Sequence, residues 1–285
     1  MALNRIETAF NERGESVLTH TDLRSFLDGH RSAWQLSAST TLGKFITTLT
    51  EASILQEIRI DLPHRPVVRY VWNSPTTMEI VQSISSHGYF SHYSAIFLHG
   101  LTTQIPKSMY FNIEQPARAG GGTLTQPAID RAFRNAGRVS TNVALLNGYD
   151  LHVINGSNTD RLGVIDFSSV EGRALRVTNL ERTLIDAAVR PHYAGGIHEV
   201  AGAFVAAQDT LSLNRMLAYL RKLNFTYPYH QAIGFYLQRT GHFSTQQLEM
   251  FKETEMSFDF YLTYGMKEKE YIPEWRLFVP QGFQL

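Results

Sequence analysis

The sequence has no cysteine, no long apolar run and no excess of charge of either sign. The lack of cysteine excludes a disulfide scaffold, a thiolate zinc site and a cysteine nucleophile, and it fits a cytoplasmic protein. No stretch approaches the roughly 20 apolar residues that cross a bilayer. The opening MALNRIETAF has no basic segment followed by an apolar run, so we expect no signal peptide.

The charges balance, with 26 basic and 26 acidic side chains. A nucleic-acid-binding protein of this composition must therefore concentrate its basic residues on one surface. The length of 285 residues and the apolar fraction of 43% allow one large domain or two ordinary ones. We place a boundary at Asn73-Ser74-Pro75, which gives an N-terminal domain of residues 1–74 and a C-terminal domain of residues 75–285.

The common catalytic and cofactor motifs are absent. There is no GxSxG, no HExxH and no Rossmann glycine pattern, and Gly120–Gly122 reads as a flexible turn because it lacks the GxxxxGK[ST] pattern of a phosphate-binding loop. His92 and His99 lie seven residues apart on one helix face, but no third ligand has a suitable spacing. We expect a capping or packing role for both histidines, and no cofactor.

One enzymatic alternative remains open at Asp166. The turn Asn155-Gly156-Ser157, followed by a strand that carries Asp166, resembles the metal site of a nucleotidyltransferase. That chemistry needs a second carboxylate on the same strand face, and Phe167 and Ser168 follow instead. A nuclease site built from Asp166 and Glu171 lacks a lysine at useful spacing. We therefore expect no catalysis and keep a nucleotidyltransferase-like enzyme as the alternative.

The first 75 residues have the pattern of three helices and a hairpin. Apolar residues recur at helical spacing in three segments, the second of which Thr19 or Thr21 can cap. Two strand-like runs follow, Glu57–Leu62 and Val67–Trp72, joined by a proline-containing turn. This order predicts a winged helix-turn-helix. The apolar positions of the three helices are Leu3, Ile6, Phe10, Leu23, Phe26, Leu27, Leu42, Phe45, Ile46 and Leu49.

In a winged helix the third helix enters the major groove of DNA and the hairpin contacts the flanking backbone. Hydroxyl and basic side chains on these two elements suit contacts to phosphates and base edges. The domain is near neutral, with eight basic and eight acidic residues among residues 1–75, so the prediction depends on where the basic residues lie. The predicted DNA-binding residues are Thr40, Thr41, Lys44, Thr47 and Thr48 on the third helix, and Arg59, His64, Arg65 and Arg69 on the hairpin.

After residue 75 the pattern predicts short strands and then helices. The fold class is thus α+β, with a winged helix-turn-helix followed by a larger mixed α/β domain rich in helices. The central helix of this domain is predicted within Thr178–Pro191, where Thr178 and Glu181 have capping-box spacing and leucine, isoleucine and alanine form one apolar face. Arg182 and Asp186, four residues apart, are predicted to form an ion pair on the helix surface.

Two stretches resemble signatures of a known family. They are YFSHYSAIFLHGL at Tyr89–Leu101, followed by Pro106, and VTNLERTLIDAA at Val177–Ala188. Both look like the AbiEi-type antitoxins of bacterial type IV toxin–antitoxin, or abortive infection, systems. The resemblance covers most of the chain and is weakest after about Phe251.

The resemblance implies a function in addition to a fold. Members of the family join a winged helix to an antitoxin domain and repress their own operon by binding inverted repeats in promoter DNA. They also counteract a nucleotidyltransferase-like toxin, for which the C-terminal domain is needed. We therefore expect a cytoplasmic repressor and antitoxin that binds double-stranded DNA weakly per protomer and cooperatively across repeats. A protein-interaction module whose winged helix binds no nucleic acid is a further alternative.

Overall fold

The computed structural model describes residues 2–116, 123–168 and 174–284. These residues form eleven α-helices and several β-sheets, so the fold is mixed α+β, as the sequence predicts. The chain divides into two compact units. The first unit comprises Met1–Ser86 and Asn142–Asp150, and the second comprises His87–Thr141 and Leu151–Leu285. The predicted domain boundary after residue 74 stays a prediction.

The first unit begins with three helices, a short strand and a hairpin. Strand β1 pairs antiparallel with β3, and β3 pairs antiparallel with β2, giving the order β1-β3-β2. A fourth helix follows the hairpin, and a later strand, β6, belongs to the same unit. The elements are α1 (Ala2–Arg13), β1 (Val17–Leu18), α2 (His20–His30), α3 (Leu42–Glu51), β2 (Gln56–Ile60), β3 (Val67–Val71), α4 (Thr77–Gln82) and β6 (Val143–Leu146).

The sequence explains where these helices begin. Thr19 and Asp22 form a complete capping box at the start of α2, which confirms the prediction of a threonine cap there. Thr41 caps α3 by accepting a hydrogen bond from the Lys44 amide. The apolar faces of α1, α2 and α3 then meet in one core, in which Ile6, Phe10, Leu18, Leu23, Phe26, Leu27, Trp34, Leu42, Phe45, Leu49, Ile54, Leu55 and Tyr70 are buried.

The second unit contains a mixed sheet with the order β7-β5-β4-β9-β8. Strand β4 is antiparallel to β5 and parallel to β9, while β9 is antiparallel to β8. A smaller sheet, β10-β12-β11, is formed by the last part of the chain. The strands are β4 (Tyr89–Phe90), β5 (Ser108–Gln115), β7 (Tyr149–Ser157), β8 (Val164–Ser168), β9 (Ala174–Thr178), β10 (Phe260–Tyr261), β11 (Lys269–Ile272) and β12 (Leu277–Pro280).

Seven helices pack around one large apolar core in the second unit. One contact shows how closely the elements approach: a Cβ atom added at Gly234 would lie 2.1 Å from the ring of Trp275, so only glycine fits there. The helices are α5 (His92–Leu98), α6 (Gln126–Arg134), α7 (Leu180–Val189), α8 (Ile197–Ala207), α9 (Leu213–Leu223), α10 (Tyr229–Arg239) and α11 (Thr245–Lys252). Pro191 follows the end of α7, as predicted.

The predicted capping box of α7 is wrong by one residue. Thr178 is the last residue of β9, and Asn179 is the N-cap, accepting a hydrogen bond from the Arg182 amide. The Thr178 hydroxyl bonds to Thr183, and the Glu181 carboxylate accepts from the Ser212 amide at the start of α9. The strand enters the helix without a loop, so the hydroxyl that the pattern assigns to the cap is still part of the sheet.

The helix α7 is also buried on all sides, whereas the sequence predicts one apolar face. Every residue from Glu181 to Ala188 is buried, including the charged side chains of Arg182 and Asp186. The prediction of a surface ion pair is therefore wrong.

The smaller predictions have mixed outcomes. The segment Asn155-Gly156-Ser157, which is predicted as a turn, is the end of strand β7. Strand β11 precedes the last strand, and Ser244 with Gln247 forms a complete capping box at the start of α11. The turn predicted at Gly120–Gly122 and the carboxylate of Glu171 lie outside the described residues.

Candidate functional site: an exposed helix and hairpin, and a buried polar cavity

The helix α3 presents a polar face to solvent. Lys44, Thr47 and Thr48 are exposed, on the side opposite the buried Leu42, Phe45 and Leu49. The Thr41 hydroxyl is exposed as well, although it already accepts the capping bond. Thr40 is half-buried, and its carbonyl accepts a bond from Arg31 Nη1 at 2.9 Å. Four of the five side chains predicted for this helix are thus accessible.

The tip of the β2–β3 hairpin carries His64 and Arg65, both exposed. Neither side chain forms a hydrogen bond or ion pair with any described residue. Arg59 is exposed too, but its Nε lies 2.6 Å from Asp61 Oδ1. The positive charge of Arg59 is therefore partly balanced within the hairpin, whereas that of Arg65 is not.

Arg69, also predicted to contact DNA, is held by hydrogen bonds within the first unit. Its Nε donates to Ser83 Oγ at 3.0 Å, its Nη2 donates to the Ser83 carbonyl at 2.7 Å, and its Nη1 donates to the Val68 carbonyl at 2.8 Å. Burial lowers the pKa of Arg69, and the nearby Asp22 opposes this shift. The guanidinium is half-buried and fixed to the end of α4, so we leave Arg69 out of the exposed polar surface.

Two further arginines of the first unit are paired with carboxylates. Arg13 lies 2.8 Å from Glu15, and Arg31 lies 3.3 Å from Asp28. Lys44, by contrast, forms no ion pair within the described part of the chain. Together, the exposed face of α3 and the hairpin tip form what we call the polar surface of the first unit. Its members are Thr41, Lys44, Thr47, Thr48, Arg59, His64 and Arg65.

The second unit contains a polar cluster whose burial the sequence does not reveal. Arg182 and Asp186 form a buried ion pair, with Nε and Oδ1 2.8 Å apart. Arg182 Nη1 also donates to the Leu162 carbonyl at 2.8 Å and to Thr159 Oγ1 at 3.2 Å. Burial lowers the pKa of Arg182, but the Asp186 carboxylate, Tyr89 and Glu114 together outweigh burial and raise it. Burial raises the pKa of Asp186, and the guanidinium opposes that rise.

Glu114 organises the loop that faces this ion pair. Its carboxylate accepts hydrogen bonds from the Tyr89 hydroxyl, the Thr159 hydroxyl and the amides of Thr159 and Arg161. Burial raises the pKa of Glu114, but these donors together outweigh burial and lower it. The loop after β7 is thus held in place by an internal anion whose charge is already satisfied.

A cavity of about 260 Å³ lies beside the ion pair. Its polar lining comes from β5, the end of β7 and the helix α7, and part of its wall is apolar. Gly156 of β7 lies close to the side chain of Asn112 on β5, since a Cβ atom at position 156 would lie 2.6 Å from Asn112 Oδ1. The polar lining residues are His92, Asn112, Ser157, Asn158, Thr159, Arg182, Asp186, Arg190, Asn224 and Thr226.

His92 lines the cavity in an uncommon backbone conformation, with φ of 51°. Its Nδ1 lies 2.8 Å from Ser91 Oγ, and its ring packs edge-on against Tyr193. Burial, followed by the positive charges of Arg190 and Arg182, holds the pKa of His92 well below its ordinary value. His92 is therefore a neutral imidazole at neutral pH.

The other motif histidine, His99, donates from Nε2 to the Thr178 carbonyl at 2.7 Å. His92 and His99 thus have separate packing and hydrogen-bonding roles. Among the described residues, no group of three or more histidine, aspartate or glutamate side chains is arranged to hold a metal ion. Within the same residues, no helix has both the length and the apolar character needed to cross a bilayer.

The two parts of the nucleotidyltransferase-like pattern, the segment Asn155-Gly156-Ser157 and Asp166, lie far apart in the sheet. Ser157 ends β7, whereas Asp166 lies exposed on β8, at the other side of the sheet. Three strands separate β7 from β8, which corresponds to roughly 19 Å at ordinary strand spacing. Asp166 pairs across β9 with Arg176 and has no second carboxylate on its strand.

Comparison with solved structures identifies a similar fold. The RV2827C protein from Mycobacterium tuberculosis, a crystal structure, matches with a TM-score of 0.62 and 14% sequence identity, over 98% of this chain and 91% of that chain. At this identity the likeness concerns the fold alone. No protein-family model matches the sequence, and no curated protein does.

Proposed function

We propose that the protein is a DNA-binding autorepressor and antitoxin, in which the first unit acts as a winged helix-turn-helix. The observation that carries the DNA-binding part is the polar surface of the first unit. It combines an exposed, amphipathic third helix with a hairpin tip whose Arg65 has no acidic partner among the described residues. In this proposal α3 enters the major groove and the hairpin reaches the flanking phosphates.

The residues of this surface suit two kinds of contact. Lys44 and Arg65 are placed for phosphates, because each extends from the surface without an internal ion pair. Thr47 and Thr48 offer short hydroxyls for phosphates or base edges. Because few cations are free, affinity per protomer is expected to be weak, and cooperative binding across inverted repeats compensates for it.

The antitoxin part of the proposal is supported by the two stretches that resemble the AbiEi family. Both lie in the second unit, where they pack together: β4 pairs with β9, and His99 bonds to Thr178. In this proposal the second unit counteracts a nucleotidyltransferase-like toxin encoded by a neighbouring gene. The protein itself performs no catalysis.

The repressor proposal is tested by a mobility shift with DNA from immediately upstream of the protein's own gene. We expect a specific shift that increases cooperatively when two repeats are present, and a higher affinity per protomer for a paired site than for one half-site. Equal affinity per protomer would contradict cooperativity. No shift at low salt, with protein shown to be folded, would favour a module that binds only proteins.

The antitoxin proposal has a separate test in cells. Co-expression of the full chain with the neighbouring toxin should restore growth, and a Lys44→Ala, Arg65→Ala double variant should restore it equally. The first unit's DNA contacts are not needed for neutralisation in this account. A failure of the wild-type chain to restore growth would remove the antitoxin assignment and leave the DNA-binding assignment in place.

A further inference from the structure

The lining of the cavity in the second unit carries a net positive charge. Arg182 and Arg190 both line it, and Asp186 is the acidic side chain among its lining residues. Glu114, which lies behind the loop after β7, is already satisfied by four donors. His92 is neutral because its pKa is lowered by burial and by the two arginines. The lining thus carries one cation more than it has carboxylates.

The guanidinium of Arg190 is the unbalanced charge. It is half-buried over the ring of Tyr193, 5.8 Å from the ring centre. It forms no hydrogen bond or ion pair with any side chain that the structure describes. Arg182 is more deeply buried, and its Nη2 has no hydrogen-bond partner among the same residues, although Nε and Nη1 are occupied. A cavity therefore lies beside two guanidiniums with unused donors.

Hydroxyl and amide groups complete this donor set. Ser157, Asn158 and Thr226 are exposed residues at the cavity. Asn112 is buried, but its Nδ2 already donates to the Tyr89 hydroxyl at 2.6 Å, so this amide adds no free donor. Planar guanidiniums with several hydroxyl donors match the terminal oxygens of a phosphate, which accepts several charge-assisted bonds at once.

The rest of the lining indicates that the ligand has an organic part. Ile154, Val189, Leu223 and Phe225 provide apolar wall in the same cavity. The volume of about 260 Å³ is near the lower end of ligand-binding cavities, which begin at roughly 300 Å³. A free phosphate would leave this apolar wall uncovered, and a large cofactor would not fit.

We propose that this cavity binds a small phosphate monoester, with its phosphate held by Arg182 and Arg190 and its organic part against the apolar wall. The site is built from the two stretches that carry the family resemblance, since His92 comes from the first and Arg182 and Asp186 from the second. It is independent of the DNA-binding surface, so its ligand acts on the second unit.

The test is isothermal titration calorimetry of the full-length protein with inorganic phosphate, uridine 5′-monophosphate and uridine. We expect saturable binding of the monophosphate, weaker binding of inorganic phosphate, and no binding of uridine. Arg190→Gln should weaken monophosphate binding about tenfold or more, as for the loss of a charged hydrogen bond. Arg239→Gln, which changes an exposed arginine over Phe235 and outside this cavity, should leave binding unchanged.

A second variant keeps the proposal testable if Arg190→Gln is unstable. Ser157→Asp places a negative charge at an exposed position of the cavity and should abolish binding of both phosphates. No binding of the monophosphate to folded protein would overturn the proposal, as would equal binding of uridine or unchanged affinity in the Arg190 and Ser157 variants. Binding of inorganic phosphate alone would overturn the assignment to a monoester. None of these outcomes depends on DNA binding.

Discussion

At the scale of single residues, burial decides what each charged side chain does. Arg182–Asp186 and Arg59–Asp61 are both local pairs in sequence, with Nε–Oδ1 distances of 2.8 Å and 2.6 Å. The first pair is buried and the second is exposed. The four-residue spacing of Arg182 and Asp186 predicts their contact correctly, but spacing holds no information about what covers the helix.

Arg182→Ala should lower the free energy of unfolding by about 3–5 kcal/mol, because it leaves the buried Asp186 without its charge partner. Urea unfolding monitored by circular dichroism measures this change. The matched control is Arg59→Ala, which removes one partner of an exposed pair and should change stability by less than about 1 kcal/mol. Similar losses in the two variants would mean that Arg182 is more solvated than its 5% exposure indicates.

At the scale of elements, local sequence predicts the start of some helices correctly and misplaces the start of α7 by one residue. The caps at α2 and α11 follow from Thr19 and from Ser244 with Gln247. The cap of α7 lies one residue later than predicted because β9 extends to Thr178, which pairs across the sheet with Val164. The pairing between β8 and β9 decides which residue is the last of the strand and which is the cap. A local sequence pattern does not contain that pairing.

Asn179 should therefore be the residue whose side chain stabilises the start of α7. Asn179→Ala removes the acceptor for the Arg182 amide and should lower the free energy of unfolding by about 1 kcal/mol or more. Asn179→Asp keeps an acceptor at the cap and should lose less, although it gives up the bond from Nδ2 to the Tyr219 hydroxyl. Equal losses in the two variants, in thermal or urea unfolding, would argue against Asn179 as the cap.

At the scale of the whole molecule, the order of elements is more predictable than the sites they build. The sequence predicts the helices and hairpin of the first unit, and the exposed α3 face follows from its amphipathic pattern. The cavity is different, because its residues come from segments as far apart as His92 and Thr226. Only the sheet order β7-β5-β4-β9-β8 and the burial of α7 bring those segments together.

Three histidines that are buried or half-buried are predicted to make the stability of the folded protein depend on pH. Burial lowers the pKa of His92 and His192, and it lowers that of His230 to about 4. Each folded-state pKa lies below the unfolded value of 6.5, so the unfolded chain binds more protons as the pH falls. The contribution of these histidines to the free energy of unfolding should be fully present above about pH 6.5 and should decrease towards pH 4.

Urea midpoints measured between pH 7.5 and pH 4 test this dependence. A His230→Gln variant should lose less stability over that range than the wild type, because one group that takes up protons on unfolding has been removed. A midpoint that stays constant down to pH 4.5, or an unchanged slope in the variant, would show that these histidines are protonated in the folded protein.

The central claim is that α3 and the hairpin tip bind DNA, and the salt dependence of promoter binding tests it most directly. Each phosphate contact contributes a slope of about one unit to the logarithm of affinity against the logarithm of salt concentration. Lys44→Ala and Arg65→Ala should each weaken binding and reduce the slope by about one unit. Lys267→Ala, at an exposed position of the second unit, should leave both the affinity and the slope unchanged. A slope that stays the same in the Lys44 and Arg65 variants would place those residues off the DNA and contradict the account.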